Sequence, residues 1–353
     1  MDISKKIISE DALDLAQTPQ AWGRLQNKTV LISGAGGYVP AYFVHAFIRR
    51  NDLFGAQIKT IALCRDETLA RARFSAYLGR SDFALHIQDV CEPINISEPV
   101  DFFIHAASPA GVRARGENPV NTFAANVLGG RNMLELSRRN ETAGFLFLSS
   151  VDVYGTAPWQ ERRQETDYGA IDGLNMHNVY AIAKKAAETL CLTYYQQYKI
   201  PVLIARAAQI LGPGIALSDG RLHIDFISQL KQKNLITLKS DGQARRSFLY
   251  ISDALSGLLT VMLLGSPGQV YNVADENGES RVADLAALAC SLLPQRRAKV
   301  EFALEFKNSP EVKFALPDVT VSSGKLRRLG WKPRWGLADG LSRMMRGYGL
   351  IKD

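Results

Sequence analysis

Short apolar segments alternate with longer segments that carry apolar residues at helical spacing, through about residue 210 of the chain. Thr29–Ser33 (TVLIS) is the first short segment, and AYFVHAFIRR, which starts at Ala41, is the first long one. Further short segments are KTIALC at Lys59–Cys64, FFIH at Phe102–His105, FLFL at 145–148 and PVLIAR at 201–206. This alternation is typical of a parallel sheet wound with helices on both faces. We therefore predict an α/β fold, with a doubly wound parallel sheet over residues 28–210.

The pattern differs at both ends of the chain. Residues 1–27 are polar and amphipathic, and we expect a leader helix packed outside the core. After residue 210, glycine and proline mark the loops, residues 236–259 read as strand-like, and the tail alternates turn and helix signals. We predict a smaller C-terminal α/β lobe over residues 211–353. Its most apolar stretch, LSGLLTVMLLG, is too short to span a bilayer, so no membrane role is expected.

Composition and charge indicate which classes of ligand the protein binds. The formal charge is +7, but the basic residues occur as isolated pairs such as Arg49-Arg50 and Arg245-Arg246, without an arginine-rich run or interleaved aromatic residues. This distribution favours phosphorylated ligands over nucleic acid. The four cysteines are scattered, with no CxxC spacing and no secretory signal. We expect reduced core cysteines in a cytoplasmic protein, and no metal site.

A glycine-rich turn follows the first predicted strand. Gly34, Gly36 and Gly37 stand where the strand passes into a helix, so backbone amides at the positive helix end can approach a pyrophosphate. A plain glycine turn is the alternative, but the order of strand, glycines and helix favours a dinucleotide site of the Rossmann type. Pro40 occupies the place of a usual third glycine, and a proline is tolerated in a first helical turn.

The next strand, Lys59–Cys64, ends without the acidic residue that would bind an adenosine 2′-hydroxyl. Arg65 follows it immediately. An arginine beside that ribose accommodates a 2′-phosphate, so the sequence favours NADP over NAD, with a solvated loop charge as the alternative. Asp89-Val90 and Ala106-Ala107-Ser108 follow later strand-like segments and are further candidates for the cofactor edge of the sheet.

A tyrosine and a lysine four residues apart, Tyr180 and Lys184, share one face of a predicted helix. A neighbouring ammonium favours the phenolate, which makes a phenol of ordinary pKa about 10 a usable base. Ser150, at the end of the FLFL strand, supplies a hydroxyl for the same reacting oxygen. The three suit removal of a proton from an alcohol while hydride leaves its carbon. By itself the spacing is also that of an ordinary helix face.

With these residues in order, the chain resembles the extended short-chain dehydrogenase/reductase superfamily, in its nucleotide-sugar epimerase, dehydratase and decarboxylase branch. The resemblance covers nearly the whole length from about residue 28. Within the branch it is most similar to UDP-glucuronate decarboxylases and dTDP-glucose 4,6-dehydratases, the former through SPAGVRARGENP at 108–119 and DGR at 219–221. The motifs that carry the resemblance are GAGGYV, HAAS, NVLGG, SSVDVYG, YAIAK, GPG, RRSFLYISD and LGWKP.

The resemblance implies a nicotinamide cofactor that oxidises the sugar at C4 to a 4-keto intermediate. Tyr180 would be the base, Lys184 its partner and a ligand of the nicotinamide ribose, and Ser150 would hold the C4 oxygen. Asp152 stands where dehydratases and decarboxylases carry a glutamate, and on an extended strand end its side chain would face the same side as Ser150. The implied cofactor-binding residues are Gly34, Gly36, Gly37, Tyr38, Val39, Arg65, Asp89, Val90, Ala106, Ala107, Ser108, Asn126, Tyr180 and Lys184. The implied substrate-binding residues are Ser108, Arg115, Gln209, Arg221 and Arg246, with the two last arginines at the diphosphate.

Departures from the family pattern indicate an altered sugar pocket. Val151 stands where dehydratases have an aspartate that protonates the leaving hydroxyl and where decarboxylases have a serine. Gln209 and Leu211 replace an asparagine and a tyrosine, and His177 replaces an arginine. A lone histidine is more often a structural residue than a catalyst.

The leading hypothesis is therefore an NAD(P)-dependent enzyme of the dehydratase or decarboxylase type, with Asp152 as acid or base and a nucleotide-diphosphate sugar as substrate. The alternative is a simple 4-epimerase, in which Asp152 is structural. A dinucleotide-binding protein without catalysis is disfavoured by the intact Ser150, Tyr180 and Lys184. The resemblance also implies a homodimer, paired through the helices that contain residues 126–138 and 178–198, and a role in polysaccharide biosynthesis.

Overall fold

A computed structural model describes residues 3–109, 111–156, 161–303 and 318–352, without the side chains of residues 113–115. The strands are β1 (Thr29–Ser33), β2 (Lys59–Cys64), β3 (Phe83–Ile87), β4 (Phe102–His105), β5 (Gly144–Ser150), β6 (Val202–Ala207), β7 (Gln209–Leu211), β8 (Leu235–Leu238), β9 (Arg245–Tyr250), β10 (Gln269–Val273), β11 (Glu279–Arg281) and β12 (Lys299–Phe302). The helices are α1 (Ile3–Gln17), α2 (Tyr38–Phe54), α3 (Glu67–Arg73), α4 (Val112–Glu117), α5 (Pro119–Arg139), α6 (Val179–Tyr198), α7 (Leu222–Lys233), α8 (Ile251–Leu264), α9 (Val282–Ser291), α10 (Gly324–Arg327) and α11 (Leu337–Gly347).

The central element is a seven-stranded sheet in the order β10-β6-β5-β4-β1-β2-β3, in which every neighbouring pair is parallel. Successive side chains of a strand face opposite sides of the sheet. Phe145 and Phe147 accordingly pack on the side of α5 and α6, whereas Leu146 and Leu148 pack on the side of α2 and α8. Both faces are buried, which confirms the predicted doubly wound α/β fold and explains why these strands are apolar throughout.

The chain after residue 210 builds the smaller lobe and also returns to the large sheet. One small sheet has the order β11-β9-β7 and another pairs β12 with β8. The seventh strand of the large sheet, β10, comes from this later part of the chain, between α8 and β11. The two parts of the chain are therefore interleaved, and the cleft between them has walls from both.

One strand-like expectation is wrong. Within residues 236–259, only β8 and β9 contribute strand residues, and Ile251 begins the long helix α8. That helix is apolar around its circumference because it is buried on nearly all sides, between the large sheet, α1 and the smaller lobe. An apolar run without clear periodicity does not distinguish a buried helix from a buried strand.

The leader helix α1 is built into the molecule. Its residues Ile7 and Leu15 are buried, and the helix packs along α2, α8 and α11. Asp11 on the same face accepts hydrogen bonds from Tyr250 Oη and from Arg343 Nε, both at 2.8 Å. Burial raises the pKa of Asp11 to about 6, and the Arg343 guanidinium opposes that rise. The leader is thus joined to both the smaller lobe and the last helix.

All four cysteines are free thiols; Cys64, Cys191 and Cys290 are buried, whereas Cys91 is only partly buried. None of the helices that the structure describes is both long and apolar enough to cross a membrane.

Candidate active site

The carboxyl ends of β1 to β6 open into a cleft of about 1080 Å³, whose opposite wall is the smaller lobe. In a parallel sheet these ends lie at one edge, which is where such folds bind ligands. The cleft brings together most of the predicted site residues. Those that line it are Gly34, Gly37, Tyr38, Val39, Arg65, Asp89, Val90, Ala106, Ala107, Ser108, Ser150, Asp152, Tyr180, Lys184, Gln209, Arg221 and Arg246.

Two of the predicted residues are not part of that lining. Gly36 and Asn126 do not line the cleft. The side chain of Arg115 lies outside the described part of the chain. Asn126 is buried and acts through a neighbour, since its Nδ2 donates to Ser108 Oγ at 2.9 Å. Its Oδ1 is buried and has no hydrogen-bond donor among the residues that the structure describes.

The glycine turn contains one position, Gly34, at which the backbone conformation and packing exclude any other residue, and one, Gly36, at which they do not. Gly34 has φ +67°, and a Cβ there would lie 2.6 Å from Ala107 Cα, so only glycine allows the β1 and β4 loops to pack. A Cβ at Gly36 would meet only Cys64 Sγ, at 3.7 Å. Gly37 caps α2, and Pro40 is buried in its first turn without loss of a helical donor. Gly37 and Tyr38, at the N-terminus of α2, do line the cleft, and backbone amides there can approach a pyrophosphate.

A buried pair beneath the cleft fixes the Ala106–Ser108 turn. Ser33 Oγ lies 2.7 Å from His105 Nδ1 and accepts from the amides of Ala106 and Ala107 at 3.2 and 3.3 Å. Burial, and then the Lys184 cation, lower the pKa of His105 to about 3, so the imidazole stays neutral. The sequence reasoning missed Ser33, because its partners follow a strand that is distant in sequence.

The end of the cleft beside β2 and β3, which we name the adenosine end after the group expected there, is basic and exposed. The Arg65 side chain is 65% exposed and lies 3.8 Å from Asp89 Oδ2. Asp66, the first acidic residue after β2, caps α3 by accepting from the Leu69 amide at 2.9 Å. A second arginine that the sequence reasoning missed, Arg73, lines the same end and donates to Gly37 O at 3.2 Å. It lies one helix further along the chain, where no motif marks it.

At the end of the cleft beside β5 and α6, which we name the catalytic end after the chemistry expected there, β5 delivers Ser150. Ser150 Oγ accepts from the Asp152 amide at 3.2 Å. That bond starts a 3₁₀ turn over Val151–Tyr154, so the expectation that Asp152 continues an extended strand is wrong. Both side chains nevertheless line the cleft. Arg246 lines it from β9; burial lowers the pKa of Arg246, and the Asp152 and Asp318 carboxylates oppose that shift.

The first two turns of α6 carry Tyr180 and Lys184. Lys184 is 3% exposed, its Nζ donates to Leu148 O at 2.5 Å, and it lies 5.7 Å from the centroid of the Tyr180 ring. The ammonium and the phenol therefore share one face, as a spacing of four residues requires. Burial lowers the pKa of Lys184 to about 7, against the opposing charge of Glu188.

Other parts of the cleft were not anticipated or differ from expectation. Lys239 and Ser240, from the loop after β8, line its far end in the smaller lobe. Asp219 pairs with Arg221, with 3.1 Å between Oδ1 and Nε. His177 lies in an exposed 3₁₀ turn and is not part of the lining. Within the described ranges, no group of three or more His, Cys, Asp or Glu side chains is arranged to hold a metal ion.

Comparison with known proteins places these features in context. Residues 30–274 match the model of the NAD dependent epimerase/dehydratase family. UDP-glucuronic acid decarboxylase 4 of Arabidopsis thaliana is 30% identical over 319 residues, which cover 90% of this chain and 68% of that protein.

Two solved structures share the fold, each with a TM-score of 0.76. A dTDP-glucose 4,6-dehydratase of Bacillus anthracis in complex with NAD is 18% identical, with 91% of this chain and 96% of that one covered. A UDP-glucose 4-epimerase of Thermotoga maritima with UDP-glucose is 19% identical, with 91% and 98% covered.

Proposed function

The chain belongs to the NAD-dependent epimerase/dehydratase family, and from that premise we propose that it oxidises a nucleotide-diphosphate sugar at C4 and then moves a proton next to the resulting ketone. One observation carries the proposal: Ser150, Asp152 and Tyr180 line one cleft with the glycine turn, and Lys184 lies beside the phenol. No simpler binding role requires that set of side chains.

The residues fit a nicotinamide dinucleotide. The N-terminus of α2, where Gly37 and Tyr38 line the cleft, offers a pyrophosphate cradle, and Asn126 Oδ1 is a buried acceptor with no donor among the described residues. Lys184 and Tyr180 would hold the nicotinamide ribose, and Asp89 with Val90 would contact the adenine. A nicotinamide held there would supply the acceptor for hydride from the sugar C4 and the donor for its return.

Tyr180 would take the proton of the C4 hydroxyl as the C4–H bond of the sugar breaks, and Ser150 Oγ would hydrogen-bond the same oxygen. The Lys184 ammonium stabilises the phenolate electrostatically. Arg246 and Arg221, in the opposite wall, would bind the diphosphate and orient the sugar towards Tyr180.

The next step depends on Asp152, and decarboxylation fits best. Val151 replaces both the dehydratase aspartate and the decarboxylase serine, and it is buried with Val153 and Tyr154. A valine has no acidic proton to give a leaving hydroxyl, which dehydration requires, whereas loss of CO₂ needs no acid at position 151. A 4-keto uronic acid is a β-keto acid: the C5–carboxylate bond breaks, CO₂ leaves, and its electron pair becomes the enolate of C4 and C5. Protonation of C5 by Asp152 would complete that step. The relative that is 30% identical is named a UDP-glucuronic acid decarboxylase.

A 4-epimerase is the second candidate, because oxidation and return of hydride to the other face need no acid at position 152. The test is incubation with UDP-, dTDP-, CDP- and GDP-linked sugars and uronic acids, followed by mass spectrometry. Loss of 44 mass units supports decarboxylation, loss of 18 supports dehydration, and an isomer of unchanged mass supports epimerisation. No change with any substrate would contradict the proposal.

We also propose a homodimer formed through α5 and α6. These helices pack on each other, yet their outer faces expose apolar side chains: Val120, Phe123, Leu128, Leu192 and Tyr198. Apolar residues that recur along a helix pair favour burial against a partner. Light scattering at micromolar concentration should give twice the chain mass of 38.9 kDa. Leu128→Glu should shift it towards the monomer, and a wild-type monomer would contradict the proposal.

A further inference from the structure

A buried ion pair between Arg206 and Glu188 lies close to Lys184, and the mechanism proposed above does not use it. Arg206 of β6 donates to Glu188 of α6 through Nε at 3.0 Å and Nη2 at 2.7 Å. Ser149 Oγ donates to the same carboxylate at 2.5 Å. Glu188 is 4% exposed. Three donors from two strands thus fix the orientation of one carboxylate in the protein interior.

That carboxylate lies one helical turn beyond Lys184, on the same face of α6. The titratable groups that face the Lys184 ammonium are Tyr180, Glu188 and Cys191 on α6 and His105 on β4. Strand β5 adds the Leu148 carbonyl, which accepts from Lys184 Nζ, and the Phe147 ring.

Apart from the phenolate that Tyr180 would form during the reaction, Glu188 is the one of these four groups that brings a negative charge to the lysine. His105 is a neutral imidazole, because burial lowers its pKa to about 3. Burial raises the pKa of the Cys191 thiol. Burial lowers the pKa of Lys184 to about 7, and Glu188 is the first of the charges that oppose this shift.

We infer that Glu188 is a positioning residue for the proton transfer: its carboxylate, fixed by Arg206 and Ser149, keeps the Lys184 ammonium charged beside Tyr180. Its effect on turnover rests on the proposed function, whereas its effect on Lys184 does not. A neutral amine would not favour the phenolate, so the base would lose its electrostatic support.

The competing explanation is that the ion pair only joins β6 to α6. Glu188→Gln alone does not separate the two, because it leaves Arg206 buried without its counter-charge. Glu188→Gln combined with Arg206→Met removes both charges and keeps side chains of similar length. A purely structural pair predicts that this double variant regains the wild-type behaviour of Lys184. The electrostatic role predicts that it does not.

The direct measurement is the titration of Lys184 in cofactor-free protein carrying ¹³C at the lysine ε-carbons. The Lys184 signal is identified by its loss in Lys184→Met, and the exposed Lys185 is an internal reference that should not respond. We expect the midpoint of Lys184 to fall by about one pH unit or more in the double variant. A midpoint within about 0.3 unit of wild type, in variants whose circular dichroism is native, would overturn the inference. Glu188→Gln is titrated in parallel, so that a folded variant is available if the double variant is unstable.

The second measurement is the pH profile of turnover. In wild type the rate should fall as Lys184 loses its proton, and in the double variant this fall should move to lower pH by the same amount as the titration. Failure of the two proposals is distinguishable, because the titration needs neither cofactor nor sugar. A wild-type protein that converts no nucleotide sugar refutes the proposed function alone, and an active one with an unmoved Lys184 midpoint refutes the role of Glu188 alone.

Discussion

The charged side chains at the two ends of the cleft differ in their exposure to solvent. At the catalytic end Lys184 is 3% exposed and donates to a backbone carbonyl, whereas at the adenosine end Arg65 is 65% exposed and 3.8 Å from Asp89. Burial changes the proton affinity of the first group, while water screens the second. We therefore expect the chemistry to depend on a few residues with large effects, and the preference for NAD or NADP to be the sum of several small effects.

The largest effect on turnover is expected for Tyr180→Phe, at the catalytic end. We expect kcat to fall on the order of a hundredfold or more, since general-base catalysis is lost, while fold and cofactor binding stay intact. Tyr168→Phe is the matched control and should leave turnover unchanged, because Tyr168 is 82% exposed and is not part of the cleft lining. Steady-state rates and thermal unfolding measure both. More than half of the wild-type rate in Tyr180→Phe would refute its role as base.

Asp152→Asn should separate oxidation from the step that follows. Tyr180 and Ser150 remain, so we expect reduced cofactor and a 4-keto sugar to accumulate while product formation falls about tenfold or more. Single-turnover absorbance at the reduced-nicotinamide band, with product analysis, follows both steps. If Asp152 instead served only to stabilise its turn, its loss would lower the unfolding temperature and slow all steps alike. An undiminished rate to the same product would favour a plain 4-epimerase.

Lys184→Met should reveal the cost of burying the Lys184 charge, as a pH-dependent difference in the free energy of unfolding. Because the folded-state pKa of Lys184 is lowered from 10.5 to about 7, the buried charge destabilises the protein fully below pH 7. That cost declines as pH rises towards 10.5 and is absent above it. The stability of Lys184→Met relative to wild type should therefore fall between pH 7.5 and 10, by on the order of 1 kcal/mol per pH unit. Urea unfolding at three pH values measures this, and a constant difference would contradict it.

The smallest effect is expected at the adenosine end. Arg65→Ala and Arg73→Ala should each weaken NADP binding by a few-fold to about tenfold and leave NAD nearly unaffected, because exposed charge pairs contribute about 1 kcal/mol or less. Arg71→Ala is the matched control, since Arg71 lies on the same helix but pairs outward with Glu67. Calorimetry on cofactor-free protein decides the matter. Much tighter binding of NAD, unaltered by either variant, would mean that Arg65 is an ordinary loop charge.

The sequence predicted what depends on local order and missed what depends on distant pairing. The glycine turn and the spacing of Tyr180 and Lys184 are local patterns, and the structure has β1, β2 and β4 at the predicted bounds. By contrast, Ser33 acts through β4, and Arg206 meets Glu188 from another strand. No motif marks such pairs, because they arise only when parallel strands lie side by side. Helix α8 was mistaken for strand because burial on all sides removes helical periodicity.

The anchoring of α1 has a consequence for the order in which the protein assembles during synthesis. The partners of Asp11 lie 239 and 332 residues later in the chain, at Tyr250 and Arg343. The leader helix therefore leaves the ribosome long before the groups that complete its buried face. Contacts of such sequence separation form late and slow folding, because a long loop must close before they contribute. The apolar face of α1 therefore stays exposed on the nascent chain until α11 has been synthesised. During that interval chaperone binding or aggregation competes with folding.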